Sequence, residues 1–290
     1  ISTGLDPYID ERGIIENHYF KDPINMIGYV TSKKGSLRGN HYHPIQTQEC
    51  LLVSGSYISF TKNLEEENSV IESRIVKAGE LSIIPPNVAH TMLFTEDSIL
   101  LNLVTGEREH ENYGVTHTHK HDLIDSELAE FVLENYKLNC RACGSNDLEL
   151  VLSLGLSPLA NNLLDENNHE FSRYPLEIMK CKIEDCFNVQ LSIVIPPDEM
   201  FKNYLYVSST AESFRLHFSK LAKKLEKDLK LNKKSVVVDI GSNDGIFLEP
   251  LNELGINSLG VEPAINVAKI ANEKKLKTYN EYFDTKTAKK

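Results

Sequence analysis

Four of the five cysteines fall into two close pairs, Cys140-Arg-Ala-Cys143 and Cys181-Lys-Ile-Glu-Asp-Cys186, with 37 residues between them. Few features restrict a fold more, because four thiolates spaced C-x2-C and C-x4-C can close a tetrahedral zinc site with no open position. In a reducing compartment such pairing points to a metal rather than to two disulfides. A closed site is structural: its binding energy contributes to folding a loop-rich segment that could not bury enough surface by itself. Two other readings stand beside it. The four thiols can be reduced and unligated, or one pair can be redox-active, which is disfavoured because neither pair opens a helix of a thioredoxin-like βαβ unit. Cys50, inside an apolar run, reads as a small buried side chain.

The chain has 290 residues, enough for more than one core. With 41% hydrophobic and 25% charged residues it is neither disordered nor collagen-like. The 31 basic residues against 42 acidic ones leave a net charge of -11, which repels a polyanion, so nucleic acid is not an expected partner. No stretch approaches the roughly 20 apolar residues of a membrane helix and no signal segment opens the chain, so the expectation is a cytoplasmic protein without a membrane partner. The first residue is Ile1, and Lys274 to Lys290 stops in the middle of a strand-helix alternation; a truncated piece of a longer protein is expected.

Three textures divide the chain. Up to residue 125, short runs rich in Val, Ile, Leu, Tyr and Thr alternate with Gly, Pro and Asn turns, an all-β pattern with strands expected over Cys50–Phe60, Ser69–Val76, Glu80–Ile84 and Ser98–Val104. Residues 126–200 open with a helix from Ser126 to Tyr136 and continue as a loop-rich segment holding the cysteines. Residues 201–290 begin with a Lys-rich amphipathic helix over Ser209–Lys230 and then alternate strand and helix. The expected class is therefore multidomain: an all-β barrel, a small zinc-binding module and an incomplete α/β Rossmann-like domain.

The first region carries Gly35-Ser-Leu-Arg38-Gly-Asn-His41-Tyr-His43-Pro, with Gln48 and Gly55 beyond, and then Gly79, Pro85, Asn87 and His90. In residue types and spacing these two segments resemble the two motifs of the cupin superfamily. The resemblance implies a double-sheet barrel with His41, His43, Gln48 and His90 in one pocket; independently, His41 and His43 are two apart and share a strand face. Metal-binding cupins use histidines and a carboxylate, but the position seven after His41 is Gln48, and Glu49 should face the other way. The Arg38-to-His43 wording looks more like the cupins that isomerise or epimerise nucleotide-linked 4-keto-6-deoxysugars. That likeness implies His41 and His43 as acid–base groups, Arg38 near a nucleotide phosphate, and Gln48 and His90 against the substrate. Histidines that merely fill the barrel are the plain alternative. His117, His119 and His121 also alternate, but with no carboxylate or cysteine set nearby they read as a surface segment.

Near the end, Ser235-Val-Val-Val-Asp239-Ile-Gly241-Ser-Asn243-Asp244-Gly245-Ile is a buried strand, a glycine turn and a helix start. A second strand from Ser258 ends in Glu262, where a carboxylate can accept the hydroxyls of a ribose. The spacing Asp-x-Gly-x-x-x-Gly favours S-adenosylmethionine over a dinucleotide. From Asn139 onward, Cys140-Arg-Ala-Cys143-Gly-Ser, Leu154-Gly-Leu-Ser-Pro158-Leu-Ala-Asn161, Val189-Gln-Leu, Tyr204-x-Tyr206-x-Ser208-Ser209 and Gly260-Val-Glu262-Pro resemble the nucleotide-sugar C-methyltransferases. The likeness implies a zinc module over the substrate, Tyr204 and Tyr206 closing the active site, and S-adenosylmethionine held by Asp239, Gly241, Asn243, Asp244, Gly245 and Glu262. The C-x4-C pair departs from the usual C-x2-C, and Asp239 from a frequent glutamate. Further strands and the family's downstream base are absent, so this chain alone is not expected to methylate.

Both chemistries start from a 4-keto sugar, whose C3 proton is acidic, which gives the fusion a chemical logic. The resemblance implies a nucleotide-linked keto-deoxysugar as substrate and a homodimer through the barrel. A barrel that only binds or dimerises is the alternative of a different class.

Overall fold

The computed structural model describes residues 8–15, 17–20, 23–105, 118–160 and 172–290. Asn161 and His117 lie outside them. The chain divides into two compact units: the first runs to Pro158 and adds Ser172–Val194, and the second holds 159–171 and Ile195–Lys290. Among the described residues no helix is long and apolar enough to cross a membrane.

The first unit opens with a hairpin of β1 (Tyr8–Asp10) and β2 (Gly13–Ile15), followed by β3 (Ile24–Ser32), β4 (Leu37–Tyr42), β5 (Gln48–Ser54), β6 (Ser56–Asn63), β7 (Glu72–Lys77), β8 (Leu81–Ile84), β9 (Val88–Phe94), β10 (Ser98–Thr105) and β11 (His119–Lys120). Two antiparallel sheets result, ordered β3-β10-β5-β8 and β11-β4-β9-β6-β7, the double-sheet arrangement of a jelly roll. Their inner faces meet in a core of Cys50, Leu52, Tyr57, Val76, Met92, Phe94 and Leu100. The run Cys50–Phe60, expected as one strand, is two. Gly55 breaks it with φ +86°, where a Cβ would lie 2.2 Å from Ser98 Oγ, and the chain passes from one sheet to the other.

After the barrel, α1 (Ser126–Asn135) starts at the serine expected and ends one residue before Tyr136. Asp125 is the cap, its carboxylate accepting the Leu128 N–H at 2.8 Å. The segment expected to be loop-rich is instead a three-stranded antiparallel sheet, β12 (Leu148–Pro158), β13 (Arg173–Cys181) and β14 (Val189–Leu191). Strict alternation fails in β12 because its pairing with β13 slips at Leu150/Leu152 and again at Ser153/Leu156. In β13 the two-residue period holds, burying Pro175, Glu177, Met179 and Cys181.

The second unit contains α2 (Pro197–Phe201), α3 (Glu212–Leu229), β15 (Val236–Ile240), α4 (Leu248–Glu253), β16 (Asn257–Val261), α5 (Ile265–Glu273) and β17 (Thr278–Tyr279). The three strands pair in parallel in the order β15-β16-β17. α3 turns its apolar stripe inward: Ala222 joins Leu251 and Ile256 in a core, and Phe218 meets Phe247.

Candidate active sites

The barrel brings three imidazoles together. Ring centroids of His41 and His90 are 4.6 Å apart, those of His41 and His43 4.9 Å, and those of His43 and His90 5.4 Å. The strand geometry explains the meeting: β4 pairs with β9 so that His41 stands opposite His90, with a register irregularity between Gly39 and His41. Gly39, at φ +104°, lets the two strands approach, since a Cβ there would lie 2.5 Å from the His90 carbonyl oxygen. Gly39→Ala is therefore expected to cost about 2–4 kcal/mol, read as a lowered urea midpoint, because neither backbone can yield cheaply.

Each of two rings has its tautomer fixed by a main-chain acceptor. His90 Nδ1 lies 3.2 Å from the Val88 carbonyl oxygen, and His41 bonds the Gly39 backbone. A carbonyl only accepts, so in the neutral rings the proton sits on the bonded nitrogen and Nε2 presents a lone pair. The Nε2 atoms of His41 and His90 are both buried without a hydrogen-bond partner among the described residues. Burial, followed by the charge on His43, pulls the His41 pKa down to about 4. Burial, followed by His41, pulls His90 to about 3. Near neutral pH both are free bases.

These two rings line a cavity of about 310 Å³ with Arg38, Gln48, Met92, Asn102 and the apolar Val30, Leu37 and Leu100. His43 does not line it. It is buried behind the wall, its Nε2 3.0 Å from Gln48 Oε1. Gln48 Nε2 in turn reaches Cys50 Sγ at 3.4 Å, and Cys50 Sγ reaches Asn102 Oδ1 at 3.7 Å, so Cys50 does more than fill space. Arg38 lines the cavity, but Nε donates to Ser32 Oγ at 2.7 Å and Nη2 to the Thr31 carbonyl at 2.8 Å, which commits half of its fork to strand β3. Asn102 is a polar lining residue that no motif marks; it lies in β10 opposite Cys50. His119 and His121 pack against Tyr42 instead, with His119 stacked on its ring at 5.3 Å.

The four cysteines gather as a second cluster. Cys140 and Cys186 have Sγ atoms 3.7 Å apart, as do Cys143 and Cys181, and all four sulfurs lie within 4.8 Å of one another. A zinc tetrahedron with metal–sulfur bonds of ~2.3 Å has edges of ~3.8 Å, so the donor set fits zinc. The backbone N–H of Cys143 leads the causes that lower the Cys140 thiol to about 6. Asn188 Nδ2 donates to the same sulfur at 3.6 Å, an outer bond of the kind that orients a metal ligand.

In the second unit, Gly241, Asn243, Glu262, Tyr204, Phe201 and Tyr282 line a cavity of about 470 Å³. Gly241 has φ +77° and no atom within 4 Å of where its Cβ would stand, so the turn after β15 is open for close approach. Glu262 accepts the Asn243 N–H on one carboxylate oxygen and the Ala264 N–H on the other, each at 2.8 Å, and these bonds fix its direction. Asp239 does not line the cavity; its pKa is raised by burial and then by Glu262. Asp244 is fully buried against Lys274 Nζ at 2.8 Å, so it ties α5 to the turn. A Cβ on Gly245 would lie 2.5 Å from Leu276 Cδ1, which gives that glycine a packing reason. Tyr206 contributes its carbonyl to Asn243 and does not line the cavity. Phe201 and Tyr282 were not marked by any motif; their aromatic character is the signal that sequence offers.

Residues 140–201 match the family described as "Putative zinc binding domain". Over 141 residues the chain is 37% identical to the C-methyltransferase NovU of Streptomyces niveus, a match covering 48% of this chain and 33% of that protein. The chain thus spans about a third of the length of that curated relative. Among solved structures, a double mutant of the 3,4-ketoisomerase QdtA from Thermoanaerobacterium thermosaccharolyticum is similar at 22% identity over 41% of this chain and 84% of that one, with TM-score 0.34. The dTDP-4-dehydrorhamnose 3,5-epimerase of Sulfolobus tokodaii is similar at 19% identity over 42% and 77%, also with TM-score 0.34. The four cysteines lie within a segment whose family match and donor geometry both support zinc.

Proposed function

We propose that this chain is a nucleotide-sugar-modifying enzyme of deoxysugar biosynthesis. Residues 1–125 are the cupin, which isomerises or epimerises a nucleotide-linked 4-keto-6-deoxysugar. Residues 126–200 are a structural zinc module, and residues 201–290 are the cofactor-binding part of a sugar C-methyltransferase. The observation that carries the first assignment is the pair of imidazoles lining one cavity, each held by a backbone carbonyl so that its buried Nε2 carries an unshared lone pair.

With the 4-keto sugar in that cavity, Nε2 of His41 takes the C3 proton and the C–H electron pair becomes an enolate with its charge on the 4-oxygen. Return of the proton to the other face inverts C3. Return at C4, with transfer of the 3-hydroxyl proton to the 4-oxygen, moves the carbonyl to C3. His90 is the second proton carrier, Gln48 steadies His43 behind the wall, and Arg38 stands where it can meet a phosphate. In the second unit Gly241, Asn243 and Glu262 would hold S-adenosylmethionine, which supplies an electrophilic methyl group when bound.

The test is proton NMR of a nucleotide-linked 4-keto-6-deoxyglucose in heavy water. The wild-type chain is expected to exchange C3-H, and His41→Gln to slow this about 100-fold or more without loss of folding. No exchange by the folded wild-type chain would reduce the barrel to a binding module. A second reading is favoured by the ligating atoms of His41, His43 and His90 lying within 4.8 Å of one another, a set that suits a transition metal. It requires two metals per chain, whereas the proton-transfer reading requires one.

A further inference from the structure

We propose that Asn266 is a positioning residue of the cavity in the second unit: with Asn243 it holds the backbone of Tyr204–Ser208 so that Tyr204 forms a fixed wall. Its relevance to a cofactor rests on reading residues 201–290 as S-adenosylmethionine-binding. Residues 203–207 form neither helix nor strand, so their backbone groups must find partners outside a ladder. Two side-chain amides supply them. Tyr204 N–H donates to Asn266 Oδ1 at 3.1 Å while Asn266 Nδ2 donates to the Tyr204 carbonyl at 2.7 Å. Asn243 repeats the arrangement two residues on, with Nδ2 donating to the Tyr206 carbonyl at 3.0 Å and Oδ1 accepting the Ser208 N–H at 2.9 Å.

Each amide reproduces the paired donor and acceptor that a neighbouring strand would offer. The two clamps sit on different elements, Asn266 in the first turn of α5 and Asn243 in the turn after β15. Beside the first clamp the Tyr204 ring lies next to that of Phe201, at a centroid distance of 6.2 Å. Asn243 also donates its own N–H to Glu262, so the carboxylate that lines the cavity and the clamp on the aromatic wall share one turn. Asn266 belongs to none of the motifs and does not line the cavity; it acts through Tyr204.

The chain contains no tryptophan, so Tyr204→Trp makes a unique fluorescent reporter. In that background Asn266→Ala is expected to shift the emission to the red before any ligand is added. It should also raise the dissociation constant for S-adenosylhomocysteine about tenfold, as expected for two lost hydrogen bonds. Asn266→Asp, which keeps the acceptor for the Tyr204 N–H, should fall between. Asn272→Ala is the control: it removes side-chain bonds to the Ala268 and Thr278 carbonyls and should leave the emission unchanged. Unchanged emission and affinity in Asn266→Ala, or an equal response to Asn272→Ala, would overturn the proposal. A red shift in a chain whose wild-type form binds no S-adenosylhomocysteine would uphold the positioning role and refute the cofactor reading.

Discussion

A Cys181→Ser chain is expected to lose its zinc and the order of the whole β12-β13-β14 sheet with it. The apolar cluster there is small, consisting of Cys140, Leu148, Met179 and Cys181 with Cys186 packed against it, and three of these five are the thiols themselves. A buried side chain contributes about 1.5–3 kcal/mol, whereas a structural zinc site contributes an apparent ~10–16 kcal/mol. The metal term wins. Zinc content by mass spectrometry should fall from about one per chain to near zero. Limited proteolysis should then cut within residues 140–194 while the barrel core around Tyr57 and Phe94 stays protected. A serine variant that keeps its zinc and its protease resistance would show that Cys181 is not a ligand.

The second large effect is expected at Glu177, which is 1% exposed and lies in β13, whose neighbour β12 packs against the barrel strand β7. Its carboxylate accepts from Ser73 Oγ of β7 and from Tyr136 Oη at 3.2 Å. Glu177→Leu leaves two buried hydroxyls without their acceptor, a loss of about 2 kcal/mol at roughly 1 kcal/mol each. Glu177→Gln keeps an acceptor and removes a buried charge, so its cost at neutral pH should be small. Burial, the leading cause, raises the Glu177 pKa in the folded chain. A raised folded pKa gives stability that is fully present below the ordinary glutamate value of about 4.3 and fades as pH rises through the folded value. The stability gap between wild type and Glu177→Gln should therefore shift in favour of wild type on acidification. Urea titrations of the three chains at pH 7 and pH 5 measure both effects, and a tolerated Glu177→Leu would contradict the account of this contact.

What could be read in the sequence follows from how local each cause is. The cysteine pairs, the glycine turn after Asp239 and the histidine doublet are short-range patterns, and the structure brings each set together. The sheet carrying the cysteines was hidden because two register slips in β12 break its two-residue period. Gly55 hid a strand boundary inside an apolar run. Among the site residues, the glycine and asparagine at 241 and 243 face the cavity, whereas Asp244 and Gly245 serve Lys274 and Leu276. That difference depends on the later segment between α5 and β17, so spacing within the turn could not show it. The proposed exchange of roles between His43 and His90 has the same origin: strand pairing across 49 positions sets His90 against His41, and a nearby glutamine holds His43 off the cavity lining.

The central claim is that the barrel transfers protons through neutral imidazoles, and the most direct test is the pH dependence of C3 deuterium exchange in a nucleotide-linked 4-keto-6-deoxyglucose, with a chelator present. With His41 near 4 and His90 near 3, the exchange rate should stay level from pH 8 down to about 5 and fall only below that. A rate that already falls through pH 6.5, or that vanishes with the chelator while the chain remains folded, would contradict it.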